Sequence, residues 1–293
     1  MRLEMLALDP IPEVRSIGEL LDAYDGILLD AYGVLVDAGG VLPAAGPLLA
    51  ELAWRRLPFA VVTNDASRSA ATYARRFAAA GLEVGPQQIV TSGSLLPAYF
   101  RERGLVGART CVLGTPDSYD YVRLGGGVPV PLGPGMEVDA VAVCDDSGTP
   151  FLEGVERALS AIVRALEAGR RPHLILPNPD LVYPKGDGEL GFTAGAMALL
   201  IEAALARRFR ARAPAFDRLG KPEPHLFHEA ATRLGVSPAR LLMIGDQLET
   251  DIAGARAAGI DAALLAGVSR WDPASPVAPT HLLATIDPRG AIS

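Results

Sequence analysis

Gly26-Ile27-Leu28-Leu29-Asp30 is a short apolar run closed by a carboxylate, and the same design recurs along the chain. Pro58-Phe59-Ala60-Val61-Val62-Thr63-Asn64 ends in a hydroxyl and an amide. Arg240-Leu241-Leu242-Met243-Ile244-Gly245-Asp246 ends in a second carboxylate. Residues 171–176 and 261–266 are two further runs of the kind. A strand that is apolar along its whole length, rather than at alternate positions, is buried on both faces, as in parallel sheets covered by helices. Helical periodicity fills the stretches between, at 44–55, 69–80, 154–168, 192–210, 225–234 and 250–258. Alternating strands and helices predict an α/β fold. In such sheets ligands bind outside the carboxyl ends of the strands, where Asp30, Thr63, Asn64 and Asp246 fall.

The middle of the chain breaks the rhythm. Residues 125–134 read GGGVPVPLGP, a surface connection without the GxGxxG spacing of a phosphate loop. Strand and helix patterns flank it, which predicts an inserted domain over 91–190 within a core of 1–90 and 191–293. A length of 293 residues suits one interrupted core as well as two domains in tandem. Apolar residues make up 49 % of the chain and charged ones 21 %, as in a globular protein. A net charge of −7 argues against a nucleic-acid or anionic-membrane binder. The stretch 194–206 is interrupted by Glu202 and too short to span a bilayer. Met1-Arg2-Leu3-Glu4 does not start a signal peptide, so a soluble, cytoplasmic chain is expected, with residues 284–293 fraying. Cys111 and Cys144 read as buried apolar residues, and Trp54 and Trp271 as packing residues. Only two of the 27 basic residues are lysines, Lys185 and Lys221, which marks both for attention.

Four segments together carry a resemblance. They are Leu28-Leu29-Asp30-Ala31-Tyr32-Gly33-Val34-Leu35, Val61-Val62-Thr63-Asn64, Leu219-Gly220-Lys221-Pro222, and Ile244-Gly245-Asp246-Gln247-Leu248-Glu249-Thr250-Asp251. In order and content they resemble the four motifs of the haloacid dehalogenase superfamily, over about residues 24–270. The stretch 176–184, LPNPDLVYP, followed by a glycine-rich turn and the 194–206 helix, is similar to the class IIA members, which include nitrophenylphosphatase and pyridoxal-phosphatase-like enzymes. The resemblance implies a Rossmann-like, doubly wound parallel sheet with an inserted α/β cap of the C2 type, and a homodimer formed through the cap.

It also implies a chemistry. Asp30 would attack phosphorus of a small-molecule phosphate ester and form an aspartyl-phosphate that water hydrolyses. Mg²⁺ would separate the two anions, held by Asp30, Asp246 and the Tyr32 carbonyl, with Asp251 on a bound water or behind the site. Thr63 and Asn64 would grip the phosphoryl group, and Lys221 would neutralise it. Asn178, Asp180 and Tyr183 would meet substrate where the cap returns to the core. The chain departs from the pattern at Tyr32, where phosphatases of this superfamily carry an acid/base Asp. A phenol near pKa 10 can donate a proton but is a poor base. This leaves two alternatives: a 2-haloacid-dehalogenase-like hydrolase, which needs no cation, and a weakly active or inactive phosphate-ester-binding regulatory protein. Asp37 and Asp145-Asp146 read as turn carboxylates. His225 and His228 have a structural role, and Ser67 and Arg68 either touch substrate or start a helix.

Overall fold

The computed structural model describes residues 12–290, so Met1–Glu4 and the last three residues of the expected frayed end lie outside the described residues. Along the chain come β1 (Glu13–Val14), α1 (Ile17–Ala23), β2 (Gly26–Leu29), the short pair β3 (Val36–Asp37) and β4 (Gly40–Val41), α2 (Ala45–Arg55) and β5 (Phe59–Thr63). Then follow α3 (Ala70–Ala79), β6 (Ile89–Thr91), α4 (Leu96–Glu102), β7 (Arg109–Leu113), α5 (Pro116–Leu124), β8 (Val128–Pro129), β9 (Ala140–Val143) and α6 (Phe151–Glu167). β10 (His173–Leu176), the hairpin β11 (Val182–Gly186) and β12 (Glu189–Phe192), α7 (Ala194–Phe209), β13 (Asp217–Arg218) and α8 (His225–Leu234) come next. The chain closes with β14 (Leu241–Gly245), α9 (Ala253–Ala257), β15 (Asp261–Leu265) and β16 (His281–Leu283).

The chain divides into two compact units, residues 1–61 with 230–293 and residues 62–229. In the first, the strand order is β1-β16-β15-β14-β2-β5 and every pairing is parallel. β2 and β14 lie side by side with Leu29 opposite Ile244, so the residues that follow them, Asp30 and Asp246, leave the sheet at one edge. Both strands are buried throughout, as their unbroken apolar runs require. Ser16 caps α1 and exchanges hydrogen bonds with Glu19. β5 carries the chain into the second unit, and β6 is next to β5 in strand order.

The second unit has its own parallel sheet, ordered β13-β10-β9-β7-β8. On one face α6 and α7 pack Val155, Ala158, Ile162, Met197, Ile201 and Leu205 over it, with Phe216. On the other, Leu96, Phe100, Tyr121 and Val122 cover it. This unit is larger than the 91–190 insertion read from the sequence. α7, which the sequence suggests belongs to the core that resumes at 191, packs on the inserted sheet instead, and the sheet continues to Arg218. The physical reason is α7's composition: a helix that is apolar on most sides is compatible with either sheet. Trp54 also departs from expectation, standing 77 % exposed on α2. Cys111 and Cys144 are buried as expected, and burial pushes the Cys111 thiol up to about 12, so it is no nucleophile. Among the described residues no helix is long and apolar enough to cross a membrane.

Candidate active site

In the first unit the sequence-predicted carboxylates converge. Asp30, Asp246 and Asp251 each offer an oxygen, and the three oxygens lie within 4.8 Å of one another. All are buried, at 5 %, 1 % and 0 % exposure. Asp30 is the first residue beyond β2, and its N–H donates to the Ile244 carbonyl at 3.0 Å, tying it to β14. Its own carboxylate accepts the Ala31 N–H at 2.8 Å. Asp246 follows β14, and its carbonyl accepts the Ser269 N–H at 3.0 Å. Asp251 is brought back by a π-helical turn, Leu248–Ile252, and takes the Gln247 N–H at 3.2 Å. Such turns are rare and are frequent at functional sites.

Two glycines make the cluster possible. Gly33 has φ +91°, and a Cβ there would lie 2.1 Å from Asp246 Oδ2. A Cβ on Gly245 would lie 2.3 Å from the Asp251 Cβ. The backbone therefore gives way to the carboxylates at both points. Three buried carboxylates this close repel one another in a weakly screening interior. Their hard oxygens and spacing fit a divalent cation such as Mg²⁺.

Tyr32 sits two residues from Asp30, partly exposed. Burial pushes its phenol above the usual tyrosine range; the Ala38 N–H at its oxygen opposes this, while Asp37 and Asp246 add to it. The group is thus a proton donor and no base near neutrality. Asp37 accepts the Gly39 N–H at 2.7 Å, the turn role read from the sequence.

The second unit gathers the remaining motif residues. Thr63, Asn64, Ser67, Asn178 and Lys221 are all buried. Asn64 is the hub. Its Oδ1 accepts the Lys221 N–H at 2.6 Å, and its Nδ2 donates to the Lys221 carbonyl at 3.0 Å and to Asp180 Oδ1 at 2.9 Å. One amide thus holds both sides of the lysine residue's backbone. Lys221 Nζ donates to the Val62 carbonyl at 3.3 Å, one residue before Thr63. Asn178 accepts the Asp180 N–H at 3.0 Å and donates to Thr193 at 3.3 Å. The Asn64 side chain is occupied in positioning Lys221, and Asp180 takes part in the same network.

Sequence reasoning missed Ser92, whose hydroxyl donates to the Asn64 carbonyl at 2.6 Å, and Asp65. The Asp65 carboxylate caps the Ser67 N–H at 2.6 Å and pairs with Arg68 at 2.6 Å. Its place directly after Thr63-Asn64 was the available signal. Arg68 and Ser67 thereby serve the turn before α3. His225 and His228 are exposed on α8, Asp145 caps the Ser147 N–H at 2.8 Å, and Lys185 stands 5.9 Å over the Tyr183 ring on the exposed hairpin.

A family model described as haloacid dehalogenase-like hydrolase matches residues 27–126, and a HAD-hydrolase-like model matches 218–287. The chain belongs to the haloacid dehalogenase superfamily. Within it, the chain is 28 % identical over 243 residues to dihydroxyacetone phosphatase of Corynebacterium glutamicum, covering 81 % of this chain and 80 % of the relative. A crystal structure described as a possible sugar phosphatase of the superfamily, from Cytophaga hutchinsonii, superposes with a TM-score of 0.81 at 28 % identity, covering 94 % of this chain and 99 % of the other. Glycerol phosphate phosphatase of Mycobacterium tuberculosis, solved in complex with magnesium, gives 0.77 at 26 % identity, covering 94 % and 78 %. The protein is a superfamily hydrolase of the class IIA phosphatase type, with the mixed α/β fold and central parallel sheet of these neighbours.

Proposed function

We propose that the protein is a cytoplasmic, Mg²⁺-dependent phosphatase that hydrolyses a small-molecule phosphate monoester through an aspartyl-phosphate on Asp30. The observation that carries this reading is the buried Asp30–Asp246–Asp251 cluster, with ligand oxygens within 4.8 Å. Dehalogenation at carbon needs no cation and gives such a cluster no purpose. The named relatives act on small phosphate esters, and a three-carbon phosphate is the substrate class they suggest.

Asp30, Asp246 and Asp251, with the Tyr32 carbonyl, are the residues that would hold Mg²⁺, whose chemistry is to offset the negative charge of carboxylate and phosphate as they meet. The Asp30 carboxylate forms a bond to phosphorus while the bond to the ester oxygen breaks. Lys221 and the Thr63 hydroxyl bind the phosphoryl oxygens, and Asn64 fixes the lysine's backbone. The leaving oxygen takes a proton, for which the Tyr32 phenol is the nearest candidate in sequence. Water then displaces Asp30 from phosphorus and frees inorganic phosphate. The second step lacks the usual carboxylate base, so turnover is expected to be slow, with the phosphorylated Asp30 accumulating.

Phosphate release from p-nitrophenyl phosphate tests the reading. Turnover with Mg²⁺ should vanish on adding EDTA and return with excess Mg²⁺, and Asp30→Asn should lower it by at least about 10³-fold. Turnover that ignores both EDTA and Asp30→Asn would overturn the mechanism.

A further inference from the structure

Arg170, Arg171 and His173 come together at one end of the second unit's sheet. The strands β7, β9 and β10 begin there, and with the turn after α4 they border an open cavity of about 520 Å³ at the surface. Its charged lining is Asp139, Arg170 and Arg171, with His173 beside them.

The acid in this set is already engaged. Arg109 donates from Nε and Nη2 to the two Asp139 oxygens, each at 2.9 Å, and from Nη1 to Glu137 at 2.6 Å. That fork, in spite of some burial, holds the Asp139 carboxyl down at about 2. Arg170 spends one nitrogen on the Val138 carbonyl at 3.0 Å and stands 3.9 Å from Asp139. Arg171 donates to the Arg212 carbonyl at 3.3 Å, and no carboxylate pairs with it among the described residues.

The Arg212 carbonyl joins the cavity to a second feature, the run Arg207-Arg208-Phe209-Arg210-Ala211-Arg212. Arg207 and Arg208 lie in the last turn of α7, where cations complement the carbonyl end of a helix, and Arg208 pairs with Glu167. Arg210 and Arg212 lie beyond the helix and are exposed, so that account does not reach them. In a chain of net charge −7, the cavity and this run form a local positive field.

We propose that the cavity is a binding site for a small phosphate-bearing dianion, held by Arg170 and Arg171. Arg170 shares Asp139 with Arg109, and Arg171 is paired with no carboxylate among the described residues; the planar forks of the two guanidinium groups match phosphate oxygens in geometry. Nucleic acid would need a basic stripe, whereas these groups line a recess. The site is separate from the Asn178 end of the same sheet. β10 runs from His173 at the cavity to Leu176, two residues before Asn178, so a ligand here is positioned to act on substrate handling through β10.

The ring C2 proton of His173, followed by NMR in the full-length protein with EDTA present, tests this. The chain has four histidines, so the signal is assignable by His173→Gln. Inorganic phosphate and phenylphosphonate should shift it saturably, acetate should not, and Arg171→Ala and Arg170→Gln should each weaken binding about tenfold. Unchanged far-UV circular dichroism and melting temperature in these variants show that folding is intact. An unmoved His173 signal, a shift undiminished in both arginine variants, or an equal response to acetate would overturn the proposal. A stronger response to a short DNA duplex or to phosphatidylserine vesicles than to phenylphosphonate would also overturn it, assigning the surface to a polymer or a membrane.

Discussion

The two clusters of motif residues are held by opposite means. In the first unit, Asp30, Asp246 and Asp251 are three groups of one charge brought together by backbone, with Gly33 and Gly245 leaving room for them. In the second, Asn64, Lys221, Asp180 and Asn178 are linked by donor–acceptor pairs that complement one another directly. Bringing like charges together costs repulsion that a bound cation would offset, which is the basis on which we propose the first cluster as a metal site. The second is complete as a scaffold and presents Lys221 in one place. Metal affinity should therefore be sensitive to small backbone changes in the first cluster, and the placement of phosphate to single hydrogen bonds in the second.

The largest effect is expected at Gly33. Gly33→Ala places a methyl group 2.1 Å from Asp246 Oδ2 at a left-handed φ, so turnover of p-nitrophenyl phosphate should fall roughly 10³-fold as transition-state charge stabilisation is lost. Because the damage is to the metal site, the Mg²⁺ concentration for half-maximal rate should rise in any residual activity. A normal Mg²⁺ dependence would show that the two clusters do not differ in this way. Asn64→Ala should act differently. It strips both hydrogen bonds from the Lys221 backbone, and a displaced Lys221 should lower kcat/KM about 10²-fold while leaving the Mg²⁺ dependence unchanged. It should also cost about 1–3 kcal/mol of stability for the buried groups left unpaired, read from denaturant unfolding. The smallest effect is a gain: Tyr32→Asp supplies a base beside Asp30 and should raise kcat about tenfold. An unchanged or lower rate would show that hydrolysis of the phosphorylated Asp30 is not limited by the missing carboxylate.

The strand ends were legible because unbroken apolar runs announce burial on both faces, and a polar residue closing such a run has few places to go. β2, β5, β14 and β15 lie where those runs predict. β7 and β9 were not read, because Arg109–Leu113 and Ala140–Val143 are short and contain Thr, Cys and Ala in place of Leu and Ile. α7 was recognised as a helix and given the wrong neighbours, since periodicity records that a face is buried and not what covers it. The acidic residues of the site were visible as a motif, whereas the Asn64 clamp was not. Its partner is the backbone of residue 221, and backbone groups leave no trace in the identity of a residue.

That clamp has a consequence for how this chain can change. Asn64 and Lys221 stand 157 positions apart and are fastened by two hydrogen bonds. Everything between them is a loop pinned at its base, and lengthening a closed loop costs entropy only logarithmically. Parts of the intervening segment away from Ser92, Asn178 and Asp180, which brace the clamp, can change in length without moving the lysine, provided the two ends still meet. Length in that segment is in that sense free to drift, and the stitch between residues 64 and 221 keeps the lysine where it is.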